Sequence, residues 1–67
     1  MNDIIGTVIE QLPSALYRIR LDDGGPIVAH IADRVDRNFI RVLVGDRVRV
    51  ERSPVHNGRG RIVGKIT

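Results

Sequence analysis

Hydrophobic and polar residues alternate along most of this chain, which is the pattern of half-buried β-strands. The alternation is cleanest from Ala15 to Leu21, where apolar residues fall on one face and arginines on the other. It recurs from Asp46 to Arg52, and three further segments are rich in β-branched residues bounded by turn signals. The predicted strands are Ile4–Gln11, Ala15–Leu21, Pro26–His30, Asp46–Arg52 and Gly60–Ile66.

Turn-forming residues separate these predicted strands. Leu12-Pro13-Ser14 ends the first strand, and Asp22-Asp23-Gly24-Gly25 predicts a hairpin because glycine tolerates positive φ. Ser53-Pro54 and Asn57-Gly58 bracket a loop before the last strand. Within the first strand, Gly6 predicts a bend or a β-bulge.

The period of the pattern changes between the third and fourth predicted strands. From Asp33 to Leu43 the apolar residues recur at helical spacing and predict one short helix. Asp33 is expected to cap its first turn, and Gly45 to end the segment. The predicted apolar arc comprises Val35, Phe39, Val42 and Leu43.

The number and length of the strands constrain the fold. As an open sheet, five short strands would leave long exposed edges around a small core. Closure into a small barrel, with the helix plugging one end, removes those edges. We therefore expect an all-β, five-stranded oligonucleotide-binding (OB) barrel with one short helix between strands three and four. A chain of 67 residues has room for one core, so the domain should span residues 1–67.

The composition excludes several classes of protein. The chain contains no cysteine, so it has no disulfide framework. No apolar run approaches the roughly 20 residues that a membrane-spanning helix needs. The N-terminal residues lack the basic stretch and apolar core of a signal peptide. We therefore exclude a multidomain enzyme, a membrane protein and a secreted mini-protein, and we expect a reducing, intracellular compartment.

The charge is distributed unevenly along the chain. The net charge is +3, but residues 1–33 carry two basic and five acidic residues, whereas residues 34–67 carry nine basic and three acidic ones. All basic residues except one are arginine, which binds phosphate through a planar fork and stacks on bases. A GC-rich genome would also favour arginine, but it would not explain this placement. The asymmetry predicts a polyanionic partner, most often nucleic acid.

Two clusters of polar residues could contact that partner. The first lies on the predicted helix, on an arc that faces away from the apolar residues and holds no acid. The second lies on the last predicted strand, where alternate positions should project from one side. A solvated helix face and a charged edge strand are the corresponding structural interpretations. The clusters are Arg34, Arg37, Asn38 and Arg41 on the helix and Arg59, Arg61 and Lys65 on the strand.

The aromatic residues indicate how RNA would be held. Tyr17 and Phe39 are the only two, and both fall on apolar faces, so we expect them in the core. Single-strand binders stack bases on exposed rings, which this chain would then lack. The sequence therefore favours folded RNA, recognised through its backbone and shape, over extended single strands.

Catalysis finds little support in the sequence. His30 and His56 are far apart and lack the short spacing of a metal site. Ser14 and Ser53 adjoin prolines, which is typical of turns rather than of a nucleophile. No glycine-rich loop of the Walker or dinucleotide-binding type is present. We expect a non-enzymatic protein, with no metal and no cofactor, and interpret His30 as a structural residue or an RNA contact.

Several short motifs occur together along the chain. They are Gly6-Thr7-Val8-Ile9-Glu10, Leu12-Pro13, Ala29-His30-Ile31, Arg37-Asn38-Phe39-Ile40-Arg41, Leu43, Gly45-Asp46, Ser53-Pro54 and Gly60-Arg61-Ile62-Val63. With these motifs in this order, the chain resembles bacterial translation initiation factor one over nearly its whole length. The stretch from Ala29 to Asp46 is the most specific part. The fold that the resemblance implies is the same OB barrel.

The resemblance also implies a function. It indicates a cytoplasmic factor that binds the decoding (A) site of the small ribosomal subunit, contacts ribosomal RNA there and works with initiation factors two and three. We expect a monomer in isolation. The residues that the resemblance assigns to RNA binding are Arg18, His30, Arg34, Arg37, Asn38, Arg41, Arg59, Arg61 and Lys65.

Three positions depart from the family pattern. Asp33 stands where glycine is usual, Asp36 where arginine is usual, and Gly64 where an aromatic residue is frequent. They are compatible with a divergent second copy of the factor. Two other functions stay open at this point: a general RNA-binding or RNA-chaperone module of the same fold, and an adaptor whose basic surface meets an acidic protein.

Overall fold

The computed structural model describes residues 3–32, 41–56 and 58–66, which form a closed five-stranded barrel. Each strand agrees with its predicted bounds to within one residue at either end. The strands are β1 (Asp3–Leu12), β2 (Leu16–Leu21), β3 (Pro26–Ile31), β4 (Arg47–Arg52) and β5 (Arg59–Lys65).

The strand order around the barrel is β1-β2-β3-β5-β4, and β4 closes onto β1. All neighbours are antiparallel except β3 and β5, which run parallel. The ten residues of β1 are long enough to pair with two strands, so that Gly6 lies opposite both Leu21 and Val48. Within the described residues, this closure leaves no sheet edge unpaired, and it confirms the predicted all-β barrel.

The barrel interior is filled by the side chains that the alternation assigned to it. Val8, Ile19, Val48, Val50 and Ile62 are all at most 1% exposed. Burying one such side chain contributes about 1.5–3 kcal/mol. Tyr17 is also buried, which confirms its predicted place in the core.

Beta-bulges in β1 and β5 change the direction of side chains in the barrel wall. In β1 the register shifts between Val8 and Glu10, so the bulge lies at Ile9 and not at Gly6 as the sequence suggested. Gly6 is instead a point of close approach, because a methyl group there would lie 2.6 Å from a methyl carbon of Ile19. In β5 the bulge lies at Val63, opposite the step from Arg49 to Val50.

The predicted helix falls largely on residues 33–40, which lie outside the described residues, as does Phe39. The residues that should form its last turn, Arg41 to Leu43, are not helical. Val42 is buried as expected, but Leu43 is 54% exposed, so the helical arc does not continue through it. Leu43 turns outward because the chain folds back there to enter β4, and Gly45 N–H donates to the Val8 carbonyl (2.7 Å).

Candidate nucleic-acid interface

An open groove of about 760 Å³ lies on the outer wall of the barrel, where β3 and β5 meet the loop that joins β4 to β5. Strands β3 and β5 form one side of the groove, where their register pairs His30 with Arg61 and Val28 with Arg59. Arg18 of β2 lies opposite Val28 and extends the same row of residues. The barrel thus brings together four predicted contact residues from three strands.

The loop after β4 forms the other side of the groove. Ser53 shapes this loop, because its Oγ accepts hydrogen bonds from the N–H groups of Val55 (3.2 Å) and His56 (3.1 Å). His56 and Pro54 therefore face the groove opposite His30. The spacing of His56 in the sequence bore only on metal binding, and its place in the groove was not predicted. The place of His56 in the loop before the last strand could have predicted this position, since in OB folds that loop flanks the oligonucleotide-binding face.

The cationic side chains in this region differ in whether they already form an ion pair with an acidic side chain. Arg18 forms an ion pair with Glu10 (2.7 Å). Arg61 pairs with Glu51, its cross-strand neighbour on β4. Arg59 is exposed, and its guanidinium has no hydrogen-bond or ion-pair partner among the described residues. Arg59 is therefore the groove cation most available to a phosphate.

Lys65 does not project beside Arg59 and Arg61, although the period of two predicted that it would. The bulge at Val63 reverses the alternation, and Lys65 lies opposite Val48, whose side chain points into the barrel. Its Nζ accordingly reaches the barrel end, where it lies 3.1 Å from Asp46 Oδ2 and donates to the Arg41 carbonyl (2.9 Å).

Arg41 lies at that barrel end, just before the turn into β4. Its side chain is exposed, and its guanidinium has no partner within the part of the chain that the structure describes. The other predicted contacts on the same segment, Arg34, Arg37 and Asn38, lie outside the described residues. The described surface thus carries two unpaired cations of the predicted set, Arg59 in the groove and Arg41 at the barrel end.

Acids from the first half of the chain neutralise arginines of the second half. Both oxygens of Asp22 accept hydrogen bonds from Arg47 (3.0 and 2.8 Å). Asp23 accepts the Gly25 N–H (3.1 Å) and pairs with Arg52, and these contacts hold the pKa of the Asp23 carboxyl below its ordinary value. The positive charge of residues 34–67 is therefore partly cancelled at the two ends of β4, at Arg47 and Arg52.

Two further properties of the described ranges bear on metal binding and on membrane spanning. No group of three or more histidine, cysteine or acidic side chains there could hold a metal ion. No helix in the same ranges is long and apolar enough to cross a membrane.

A closed β1-β2-β3-β5-β4 barrel with a cationic groove beside its last loop defines the class, an OB fold of the nucleic-acid-binding type. The family model for translation initiation factor 1A / IF-1 matches residues 1–67. The chain therefore belongs to the translation initiation factor 1A / IF-1 family.

A solved structure supports the same assignment. The chain is similar to the solution structure of translation initiation factor one from the Wolbachia endosymbiont strain TRS of Brugia malayi, with 36% sequence identity and a TM-score of 0.76. The match covers 97% of this chain and 77% of that one. The family resemblance and the fold expected from the sequence are thereby confirmed.

Proposed function

We propose that this chain acts as an initiation factor that binds ribosomal RNA at the decoding (A) site of the small ribosomal subunit. It works there in the cytoplasm together with initiation factors two and three. Its mechanism is occupancy rather than catalysis: arginines neutralise phosphates, and the rigid barrel fills the space. Family membership supports the initiation role, and the unpaired guanidinium of Arg41 is the single observation that best supports the RNA contact.

The proposed interface extends from the groove to the barrel end. Arg59 and Arg41 reach RNA phosphates directly, and Arg18 and Arg61 exchange their carboxylate partners for phosphate. That exchange is inexpensive because exposed ion pairs contribute only about 0–1 kcal/mol. His30 lines the groove as a further contact. Arg34, Arg37 and Asn38 complete the proposed set of RNA contacts, and Lys65 supports it indirectly through its contacts with Asp46 and the Arg41 carbonyl.

The structure favours a folded RNA target over an extended strand. Tyr17 is buried, so within the described residues no phenylalanine, tyrosine or tryptophan ring is available as a stacking platform for successive bases. Recognition then depends on the position of phosphates, which a folded RNA fixes and a flexible strand does not.

Cosedimentation with isolated small ribosomal subunits, in competition with unstructured RNA, tests this function. We expect saturable one-to-one binding that a large excess of unstructured RNA does not displace. A general RNA-binding module would instead be displaced readily, and an adaptor that binds an acidic protein would not sediment with the subunit.

A pair of charge reversals tests the proposed site. Arg41→Glu should weaken subunit binding by at least about 1–3 kcal/mol, since it replaces a charge-assisted contact with repulsion. Arg49→Glu is the matched control, because Arg49 is exposed on the β4 wall between Ile5 and Gly64 and changes the net charge equally. Equal losses in the two variants would show that only net charge matters and would contradict a defined site.

A further inference from the structure

Lys65, the only lysine of the chain, is already engaged in two contacts at the barrel end. Its ammonium group pairs with Asp46 Oδ2 (3.1 Å) and donates to the Arg41 carbonyl (2.9 Å). The side chains of Lys65 and Asp46 are only 30% and 19% exposed. A direct contact of Lys65 with RNA would require that both of these interactions be broken.

Asp46 holds the same segment from the other side. Its Oδ2 accepts the N–H of Leu43 (2.8 Å), and its own N–H donates to the carbonyl of Leu43 (3.0 Å). These reciprocal bonds close a four-residue turn whose third residue, Gly45, has a φ of 99°, which glycine adopts without strain. One carboxylate therefore links the turn to the end of β5 through Lys65.

The turn is also anchored to the barrel through backbone bonds. Val8 N–H donates to the Asp46 carbonyl (2.9 Å), and the Val8 carbonyl accepts from Gly45 (2.7 Å). Next to the turn, Val42 packs into the core at 5% exposure. Immediately before Val42, the Arg41 carbonyl is held by Lys65 alone among the described residues.

We propose that Lys65 and Asp46 act as positioning residues: together they hold the backbone of Arg41 so that its guanidinium faces the ribosomal RNA, and neither contacts the RNA itself. This inference rests on the function proposed above and specifies how its interface is kept in place. An Arg41 backbone that is already fixed loses less conformational freedom on binding, so the contact of its side chain contributes more to affinity.

The pKa of the Asp46 carboxyl is compatible with its ion pair to Lys65. The Leu43 N–H, followed by Lys65, holds the pKa of the Asp46 carboxyl below its ordinary value. Asp46 is therefore ionised throughout the neutral range, so its carboxylate can accept from both the Leu43 N–H and Lys65.

Asp46→Asn separates positioning from simple charge effects. Removal of a negative charge near a polyanion should tighten binding if electrostatics alone decide the affinity. Positioning predicts the opposite, a loss of about fivefold to tenfold, because Lys65 and Leu43 lose their shared carboxylate. Asp23→Asn is the matched control, since Asp23 also accepts one backbone N–H and pairs with one arginine, Arg52, but on the turn between β2 and β3.

The experiment is a titration of small ribosomal subunits with the full chain and its variants at fixed salt. We expect Asp46→Asn and Lys65→Met to weaken binding about fivefold to tenfold, while Asp23→Asn stays within about twofold of the unmodified chain. Lys65→Arg should restore most of the affinity, because arginine can supply a cation and N–H donors. Tighter or unchanged binding of Asp46→Asn would overturn the proposal.

A double-mutant cycle distinguishes positioning from a direct contact of Lys65. In an Arg41→Ala background, Lys65→Met should cost less than about twofold, because the residue that it positions is already gone. A direct phosphate contact would cost the same factor in both backgrounds, which would also overturn the proposal.

Amide hydrogen exchange of the free protein distinguishes a failure of the positioning role from a failure of the proposed function. Leu43 N–H should exchange faster in Asp46→Asn and in Lys65→Met, while Val48 N–H in the barrel stays protected. If the unmodified chain fails to bind subunits saturably, the proposed function fails, whatever the exchange rates are. If binding is saturable and Leu43 exchange is unchanged in both variants, only the positioning role fails.

Discussion

Gly60 of β5 packs directly against the backbone of Glu51 on β4. A methyl group placed on Gly60 would lie 2.8 Å from the Glu51 carbonyl oxygen and 2.9 Å from Cδ1 of Ile27. The first of these neighbours is backbone and cannot rotate away. Gly60 therefore permits β5 to lie between β4 and β3, the step that closes the barrel and forms the groove.

Gly60→Ala should destabilise the protein by about 1–3 kcal/mol, since the added carbon forces strands apart in a closed barrel. Gly64→Ala is the control on the same strand, because a carbon added there meets nothing within 4 Å. It should be neutral or stabilising by up to about 1 kcal/mol, because it restricts the unfolded chain. Urea unfolding of both variants checks this, and equal effects would contradict the close approach at Gly60.

Ile19→Ala should cost about 2–5 kcal/mol, because Ile19 is fully buried at the centre of the barrel. A domain of this size has about 3–5 kcal/mol of stability, so much of the variant should be unfolded at 25 °C. Ile9→Ala removes the same atoms from the bulge of β1, where Ile9 is 45% exposed, and should cost less than about 1 kcal/mol. Thermal unfolding followed by circular dichroism would detect the difference, and a cooperative, near-normal transition of Ile19→Ala would be the contrary result.

The free energy of unfolding should fall as the pH drops below about 4. Hydrogen bonds from Leu43 and Gly25 hold the pKa values of Asp46 and Asp23 below their ordinary value in the folded state. The unfolded chain then takes up protons first, so this stabilisation is complete above the unfolded pKa and is lost as the pH falls through the folded one. Asp46→Asn and Asp23→Asn should each flatten the acid limb of the stability curve, measured by urea unfolding from acid to neutral pH. An acid limb as steep as that of the unmodified chain would show that these carboxylates do not contribute.

Subunit binding should weaken steeply with salt. If about four to six phosphates are neutralised, the slope of log affinity against log salt should be about −3 to −5 by counterion release. Arg59→Met should reduce the magnitude of the slope by about one, since Arg59 is unpaired in the groove. Arg47→Met should leave it unchanged, because Arg47 is not in the proposed set and its guanidinium is already engaged by Thr7 and by both oxygens of Asp22. Titrations at several salt concentrations check this, and a slope near zero would remove the electrostatic mechanism.

The sequence by itself determined the strands and their inward faces. Alternation is a local property of a strand, so the pattern around Ile19 places its side chain in a core whatever the strand pairs with. Val48 and Val50 follow the same rule, and both are fully buried. The barrel topology also followed from local information, because five short strands of this order have few ways to leave no open edge.

The tertiary structure decided which polar groups meet. Asp22 and Arg47 are 25 positions apart, and only closure of β4 onto β1 brings them within 2.8 Å. The side of β5 from which Lys65 projects depends on a bulge that arises from the pairing of β5 with β4. The alternation of residues along β5 alone therefore predicted the wrong side for Lys65. His56 enters the groove for the same kind of reason, through a loop anchored by Ser53. Burial is encoded strand by strand, whereas the partner of a charge depends on register between strands, which exists only once the barrel has closed.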